Sequence, residues 1–204
     1  MAEKIMDGKF VSSKREAKIA VLFIQSLLVA YPVIVILGYY LENLQEIGIK
    51  ELLFALLIIL MCIGVIIGAF VMFIRWFYRA YSNLYEKTPD LKYKKRWVIL
   101  CWLIPVINFY LPFLLIKNMY SNIAILTDNA AAKENLEKLT TINIWWMLYI
   151  VMWIFDLGYY ALIYPGKSIM FNIITYILLI PSVWLTIKII RNYCKIEEQL
   201  VDFV

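Results

Sequence analysis

The amino-acid sequence predicts an all-α fold: a polytopic membrane helical bundle with four transmembrane helices and one proline-broken re-entrant or interfacial helical hairpin on the cytosolic side. Three observations predict this class. The chain of 204 residues is 64% hydrophobic and only 17% charged, with a mean hydropathy of +0.77, whereas soluble domains average about 45–50% apolar and about 25% charged residues. Four stretches are long and apolar enough to cross a bilayer, and a fifth is interrupted by two prolines.

The membrane-spanning segments follow from the thickness of a bilayer. A hydrocarbon core of about 30 Å requires about 20 apolar residues in a helix that rises about 1.5 Å per residue. The sequence therefore predicts one membrane domain over residues 1–204, which divides into a cytosolic leader (1–19), transmembrane helices at 20–40, 52–74, 144–164 and 169–187, a re-entrant helix (97–116), a cytosolic helical loop (117–143) and a cytosolic tail helix (188–204).

The broken stretch, residues 97–116, contains Pro105 and Pro112 with Asn108 between them. Each proline removes a backbone donor and interrupts a helix. The distribution of Lys and Arg indicates whether the stretch crosses, because short cytoplasmic loops carry an excess of positive residues. A stretch that dips and returns puts 18 of the 20 Lys and Arg residues on the cytosolic side, whereas a full crossing gives 13 against 7. We therefore predict a re-entrant helix and two cytosolic termini.

Two sequence motifs follow the end of the second predicted span. The first, W-x-x-R-A-x-x-N-L, runs from Trp76 to Leu84, and the second, W-x-x-P-x-x-N-x-x-x-P, runs from Trp102 to Pro112. Over residues 73–120 this pattern resembles the bacterial membrane family called domain of unknown function 4328. The resemblance implies a compact multi-pass protein of the bacterial cytoplasmic (inner) membrane with a broken helix on the cytosolic side. It implies no activity.

Three polar residues form a candidate intramembrane site: Asp156, Asn108 and Tyr176. Asp156 is the only ionisable residue deep in a predicted span, and a carboxylate at that depth is costly, so we expect it to face protein or water. Its depth matches that of Asn108, and the Tyr176 hydroxyl is an alternative partner. Two roles remain open: an Asp that fixes helix packing by hydrogen bonding, or one that lines a proton or cation pathway.

A second candidate site is basic and lies at the inner membrane interface. One part of this site is predicted to lie on one face of a helix, because its residues are four positions apart. The other part lies in the loop that follows this helix. Cations in this position attract anionic lipid head groups by about 1 kcal/mol each. Two alternatives remain open: an internal polar cluster of the helical face with the broken helix, and ordinary snorkelling with charge-based topology. We expect the partner to be an anionic bilayer and not a nucleic acid. The residues are Arg75, Arg79 and Asn83 on the helix and Lys92, Lys94, Lys95 and Arg96 in the loop.

Two further patterns concern helix association. Gly64 and Gly68 form a GxxxG pair, whose spacing lets helices approach closely, either within the chain or in a dimer. The tail carries an apolar stripe with heptad-like spacing, which either forms a coiled coil with a partner or packs on neighbouring helices of the same chain. Its members are Ile189, Tyr193, Ile196, Leu200 and Phe203.

The residue types also limit the chemistry. Histidine is absent, which excludes histidine-dependent catalytic triads and histidine-ligated metals, and the three cysteines form no CxxC pair. We expect no catalytic residue, cofactor or metal, but a small non-enzymatic integral membrane module, oligomeric or dependent on another membrane or cytosolic protein, that senses or relays at the cytosolic face. The alternative is an oligomeric pore or a proton or ion channel, including a membrane-permeabilising defence effector.

Overall fold

The computed structural model describes residues 12–44, 48–88, 91–126, 132–162 and 169–201, with side chains at all of these except 124, 132–138, 156–162 and 199–201. Every regular element in this part of the chain is a helix, which confirms the predicted all-α class. The helices are α1 (Lys14–Glu42), α2 (Ile49–Lys87), α3 (Trp97–Leu103), α4 (Pro105–Asn108), α5 (Leu111–Leu126), α6 (Ala132–Leu162) and α7 (Ile169–Val201).

Three helices, α1, α2 and α7, are long and apolar enough to cross a membrane. They contain the first, second and fourth predicted spans, but α2 and α7 continue as single helices for more than three turns beyond residues 74 and 187. Residues 144–162 of the third predicted span lie in α6, whose described apolar portion, Leu139–Phe155, is shorter, and the last two residues of this span are outside the described part. These helices indicate a membrane protein.

The largest buried side chains concentrate where the extensions of α2 and α7 meet α3, α5 and the first half of α6. This inner core is one continuous cluster, and several of its aromatic rings pack edge to face, as Trp76 does on Tyr193 with ring centroids 6.1 Å apart. Its largest fully buried side chains are those of Trp76, Phe77, Tyr81, Leu84, Val98, Leu115, Ile116, Met119, Ile123, Ile142, Ile190 and Tyr193.

The first half of α2 is packed much more sparsely. Ala55 and Cys62 are buried along one side of the helix, while large apolar side chains on its other sides, such as Phe54 and Met61, are more than 60% exposed. An apolar surface of this kind matches the hydrocarbon of a bilayer, which solvates it without a protein neighbour. The chain therefore combines a tightly packed inner core with a first half of α2 that fits a lipid environment.

A proline in α1 is compensated by α7. Pro32 has no N–H, so the Leu28 carbonyl lacks its usual donor four residues on. The Tyr176 hydroxyl of α7 donates to that carbonyl at 3.1 Å, and its ring stacks on Tyr31 with centroids 6.0 Å apart. Because an unpaired carbonyl is costly in hydrocarbon, the contact between α1 and α7 supplies what the proline removes.

The segment from α3 to α5 is broken where the prolines predict. Ile104, directly before Pro105, has an extended backbone (φ −99°, ψ 111°) and separates α3 from α4. Helices α3 and α5 both pack against α2 and against each other. Tyr81 in α2 donates to the Tyr93 carbonyl before α3 at 2.7 Å, and Tyr120 in α5 donates to the Ile189 carbonyl in α7.

The Tyr193 hydroxyl of α7 donates to the Ala80 carbonyl of α2 at 3.2 Å, which joins these two helices near their C-terminal ends. Since Ala80 adjoins Tyr81, the contacts of Tyr93 and Tyr120 are made at neighbouring points of α2 and α7. The two ends of segment 93–120 therefore lie near the same ends of these long helices.

Helices α1 and α2 form the most extensive pair, and only one glycine of the GxxxG pair contributes to it. A Cβ atom added to Gly68 would lie 2.4 Å from Cε1 of Phe23 in α1, whereas one added to Gly64 would have nothing within 4 Å. Gly68 thus packs within the chain, and Gly64 lies on an open face.

This difference gives a matched pair of substitutions. We expect Gly68→Ala to lower the free energy of unfolding by about 1–3 kcal/mol, because the Phe23 ring has to move out of a packed contact. Gly64→Ala should leave it unchanged or raise it by up to about 1 kcal/mol through helix propensity. Denaturant unfolding of both variants in the same detergent measures this, and similar losses for the two would contradict the packing role of Gly68.

Candidate functional site

The most distinctive polar feature of the described residues is a buried carboxylate near the end of α7. Glu197 is 2% exposed. Its Oε2 accepts hydrogen bonds from the backbone N–H of Ser13 at 3.2 Å and from the Ser13 hydroxyl at 2.5 Å, and its Oε1 accepts one from the Asn83 amide at 2.7 Å. Ser13 directly precedes α1, and Asn83 lies in the last turns of α2. The carboxylate thus joins three helices at one point, which we call the Glu197 junction.

The position of Ser13 explains part of this arrangement. The first turn of a helix has N–H groups without intrahelical partners and a partial positive charge, so a carboxylate beside it is favourable. A buried carboxylate in turn requires donors, because an unpaired charge in a low-dielectric interior is very costly. Ser13 provides two of these donors and Asn83 the third.

The surroundings of the Glu197 junction are aromatic and closely packed. The Cys194 thiol lies 3.8 Å from the Ser13 hydroxyl, and Tyr193, 1% exposed, packs against Trp76 and Tyr120. Burial raises the pKa of the Tyr120 phenol, so its hydroxyl stays protonated and donates to the Ile189 carbonyl. These contacts close the junction to solvent and make it a fixed connector between helices.

The predicted helical face of Arg75, Arg79 and Asn83 has three different environments. Arg75 is exposed, Arg79 is half-buried and Asn83 is buried. The Nε of Arg79 is buried and has no hydrogen-bond partner among the described residues, whereas Asn83 donates to Glu197. The structure therefore brings Asn83 into the Glu197 junction.

The predicted basic loop lies between α2 and α3. Lys92, Lys94 and Arg96 are exposed, and Lys95 is half-buried. Lys95 lies 3.4 Å from a carboxylate oxygen of Glu86 and 5.1 Å from the centre of the Tyr85 ring. The loop thus presents three exposed cations beside one that is held against α2.

The structure describes the contacts of two members of the predicted intramembrane site. The Asn108 amide donates to the Tyr149 hydroxyl of α6 at 3.0 Å, and its Oδ1 is buried with no partner among the described residues. The Tyr176 hydroxyl donates to the Leu28 carbonyl. The third member, Asp156, lies in α6 seven residues after Tyr149, or about 10 Å along a helix, and its side chain is outside the described part.

The sequence interpretation missed Ser13 and Glu197. A usable signal exists, since Ile189, Tyr193 and Ile196 of the predicted tail stripe are all buried within the chain, and Glu197 lies four residues after Tyr193, on the same helical face. Among the described residues no cluster of three or more Cys, Asp or Glu side chains has the geometry of a metal site.

Glu197→Gln tests the Glu197 junction. The variant replaces one acceptor oxygen by an NH₂ donor, so a buried donor of Ser13 or Asn83 loses its partner, and we expect the free energy of unfolding to fall by about 1–3 kcal/mol. The matched control is Glu198→Gln, which removes only an exposed ion pair with Lys14 at 2.7 Å and should have little effect. Thermal unfolding of the full chain in detergent compares them, and equal shifts would count against the junction.

Comparison with known proteins identifies the family of the chain. No curated protein and no solved structure matches it. Residues 45–195, about three quarters of the chain, match the family described as Domain of unknown function (DUF4328). The matched part contains the broken helix, Asn83 of the Glu197 junction and both motifs of residues 73–120. The chain therefore belongs to the DUF4328 family, as these motifs predict.

Proposed function

We propose that the protein is a small non-enzymatic module of the bacterial cytoplasmic membrane that receives or relays a signal at its cytosolic face, as an oligomer or together with another membrane or cytosolic protein. In this proposal four helices cross the bilayer, segment 97–116 dips in from the cytosol, and both termini are cytoplasmic. The inner core is then the cytosolic end of the molecule.

The observation that carries the proposal is the pair of contacts at the two ends of segment 93–120. Tyr93 is hydrogen-bonded to Tyr81 of α2, and Tyr120 is hydrogen-bonded to Ile189 of α7. These two points lie close together because Tyr193 of α7 is hydrogen-bonded to Ala80 of α2. A helix that crossed the bilayer between these two residues would separate them by about 30 Å. A segment that enters and returns satisfies both contacts, and it agrees with the cytosolic excess of Lys and Arg.

The charge of the proposed cytosolic face favours an acidic or anionic partner. The loop before α3 exposes Lys92, Lys94 and Arg96, and it is anchored to α2 by the hydrogen bond between Tyr81 and Tyr93. A loop whose backbone is held in place loses less conformational freedom on binding than a mobile one. This loop is therefore suited to recognise an acidic or anionic partner.

Cysteine accessibility tests the topology. We expect a membrane-impermeant maleimide to label Lys50→Cys in intact cells, and to label Lys94→Cys and Ser121→Cys only after permeabilisation. All three positions are exposed, but in the proposed topology only Lys50, between the spans 20–40 and 52–74, lies outside the cell. The three native cysteines, Cys62, Cys101 and Cys194, are buried and should not react with the reagent. Labelling of Ser121→Cys from outside would require residues 97–116 to cross and would refute the proposed topology.

Photo-crosslinking tests the function. A photoreactive amino acid at position 94 in native membranes should give one adduct of defined mass, either a dimer of the 24.1 kDa chain or a complex with one partner, and the same group at exposed position 50 should not. Replacing Lys92 and Arg96 by Glu should abolish the adduct, since charge complementarity selects the partner. An adduct that survives both charge reversals, or one of equal yield at position 50, would contradict recognition by this loop.

A further inference from the structure

A groove of about 560 Å³ runs between the beginning of α1 and the end of α7, on a side of these helices that the proposed function does not use. Its floor is formed by the buried residues Ala17, Val21, Ile190 and Cys194. The α1 wall runs from Lys14 to Gln25, which are eleven positions or about 16 Å apart along the helix. The groove is thus long, narrow and apolar at its base.

The rim of this groove is strongly basic. Lys14 and Lys18 are four residues apart on α1, and Arg191 and Lys195 are four apart on α7, so each pair shares a helical face. The one carboxylate on the rim, Glu198, is paired with Lys14 at 2.7 Å. Among the described residues, the other three cations have no acidic partner within 4.0 Å.

The position of these cations relative to the predicted spans indicates the kind of ligand that fits. Lys18 lies two residues before the first predicted span, and Arg191 lies four residues after the last one, so both are at the height of lipid head groups. The groove continues from there along Val21 and Leu22 into the apolar part of α1. A soluble anion needs only the cations, whereas a phospholipid uses both the cations and the apolar floor.

We infer that this groove binds one anionic phospholipid, with its phosphate between Lys18, Arg191 and Lys195 and an acyl chain along Val21 and Leu22. Basic pockets between transmembrane helices on the cytoplasmic side are known to hold such head groups. The inference rests on the proposed function only for the leaflet that supplies the lipid, which is the cytoplasmic one.

Native mass spectrometry of the purified full chain, titrated with phosphatidylglycerol in detergent, tests the inference. We expect one lipid to bind saturably per chain. The Lys18→Gln/Lys195→Gln variant should bind about 25-fold more weakly, because each cation contributes about fivefold near an anionic head group. The matched control, Lys50→Gln/Lys87→Gln, removes the same charge from two exposed positions of α2 that do not line the groove, and it should bind like the original chain. Lys18→Arg/Lys195→Arg keeps the charge and should also retain binding.

Three results would overturn the inference. Equal weakening by the α2 control variant would show unspecific surface charge. Equal binding of phosphatidylcholine would show that the groove does not select a negatively charged head group. Displacement by soluble glycerol phosphate at matching concentration would assign the cations to a soluble anion. The assay is independent of topology and of any protein partner, so lipid binding can fail while the labelling pattern holds, and the reverse.

Discussion

The structure depends on the requirement that a buried carboxylate be fully hydrogen-bonded. Glu197 meets it with two donors from Ser13 and one from Asn83, and these come from helices far apart in the sequence. The beginning of α1, the end of α2 and the end of α7 therefore have one relative arrangement in which all donors are used. Around this fixed point the rings of Trp76 and Tyr193 pack without access of solvent.

The same principle acts on backbone groups away from the inner core. Pro32 leaves the Leu28 carbonyl without a donor, and Tyr176 provides one from α7. The first half of α2 has no polar group of this kind to satisfy, and its large apolar side chains stay exposed beyond Ala55 and Cys62. Polar requirements thus determine some of the points at which helices of this chain must touch, and the exposed apolar surface of the first half of α2 is left for the bilayer.

The sequence predicts the features of the fold that depend on local composition, namely the long apolar helices and the position of the helix break. Apolar length identifies α1, α2 and α7 as possible spans, and Pro105 correctly marks the break at Ile104. The Glu197 junction is not predictable in this way, because it depends on three residues that only the fold brings together. Asn83 was predicted to be a site residue from its spacing to two arginines, but its partner lies 114 positions further along the chain.

Adjacent residues of α7 connect the Glu197 junction to the basic groove. Glu197 binds Ser13 on the buried side of α1, and Glu198 pairs with Lys14 on the exposed side. The first turn of α1 is therefore held to α7 by the buried hydrogen bonds of Glu197, and the exposed pair of Lys14 and Glu198 lies directly beside them. The two walls of the groove start from this contact. A ligand that binds only when these walls are correctly spaced stabilises the junction by the same free energy by which the junction favours the ligand. Occupancy of the groove by the proposed lipid and the hydrogen bonds of Glu197 would thus be linked through the first turn of α1.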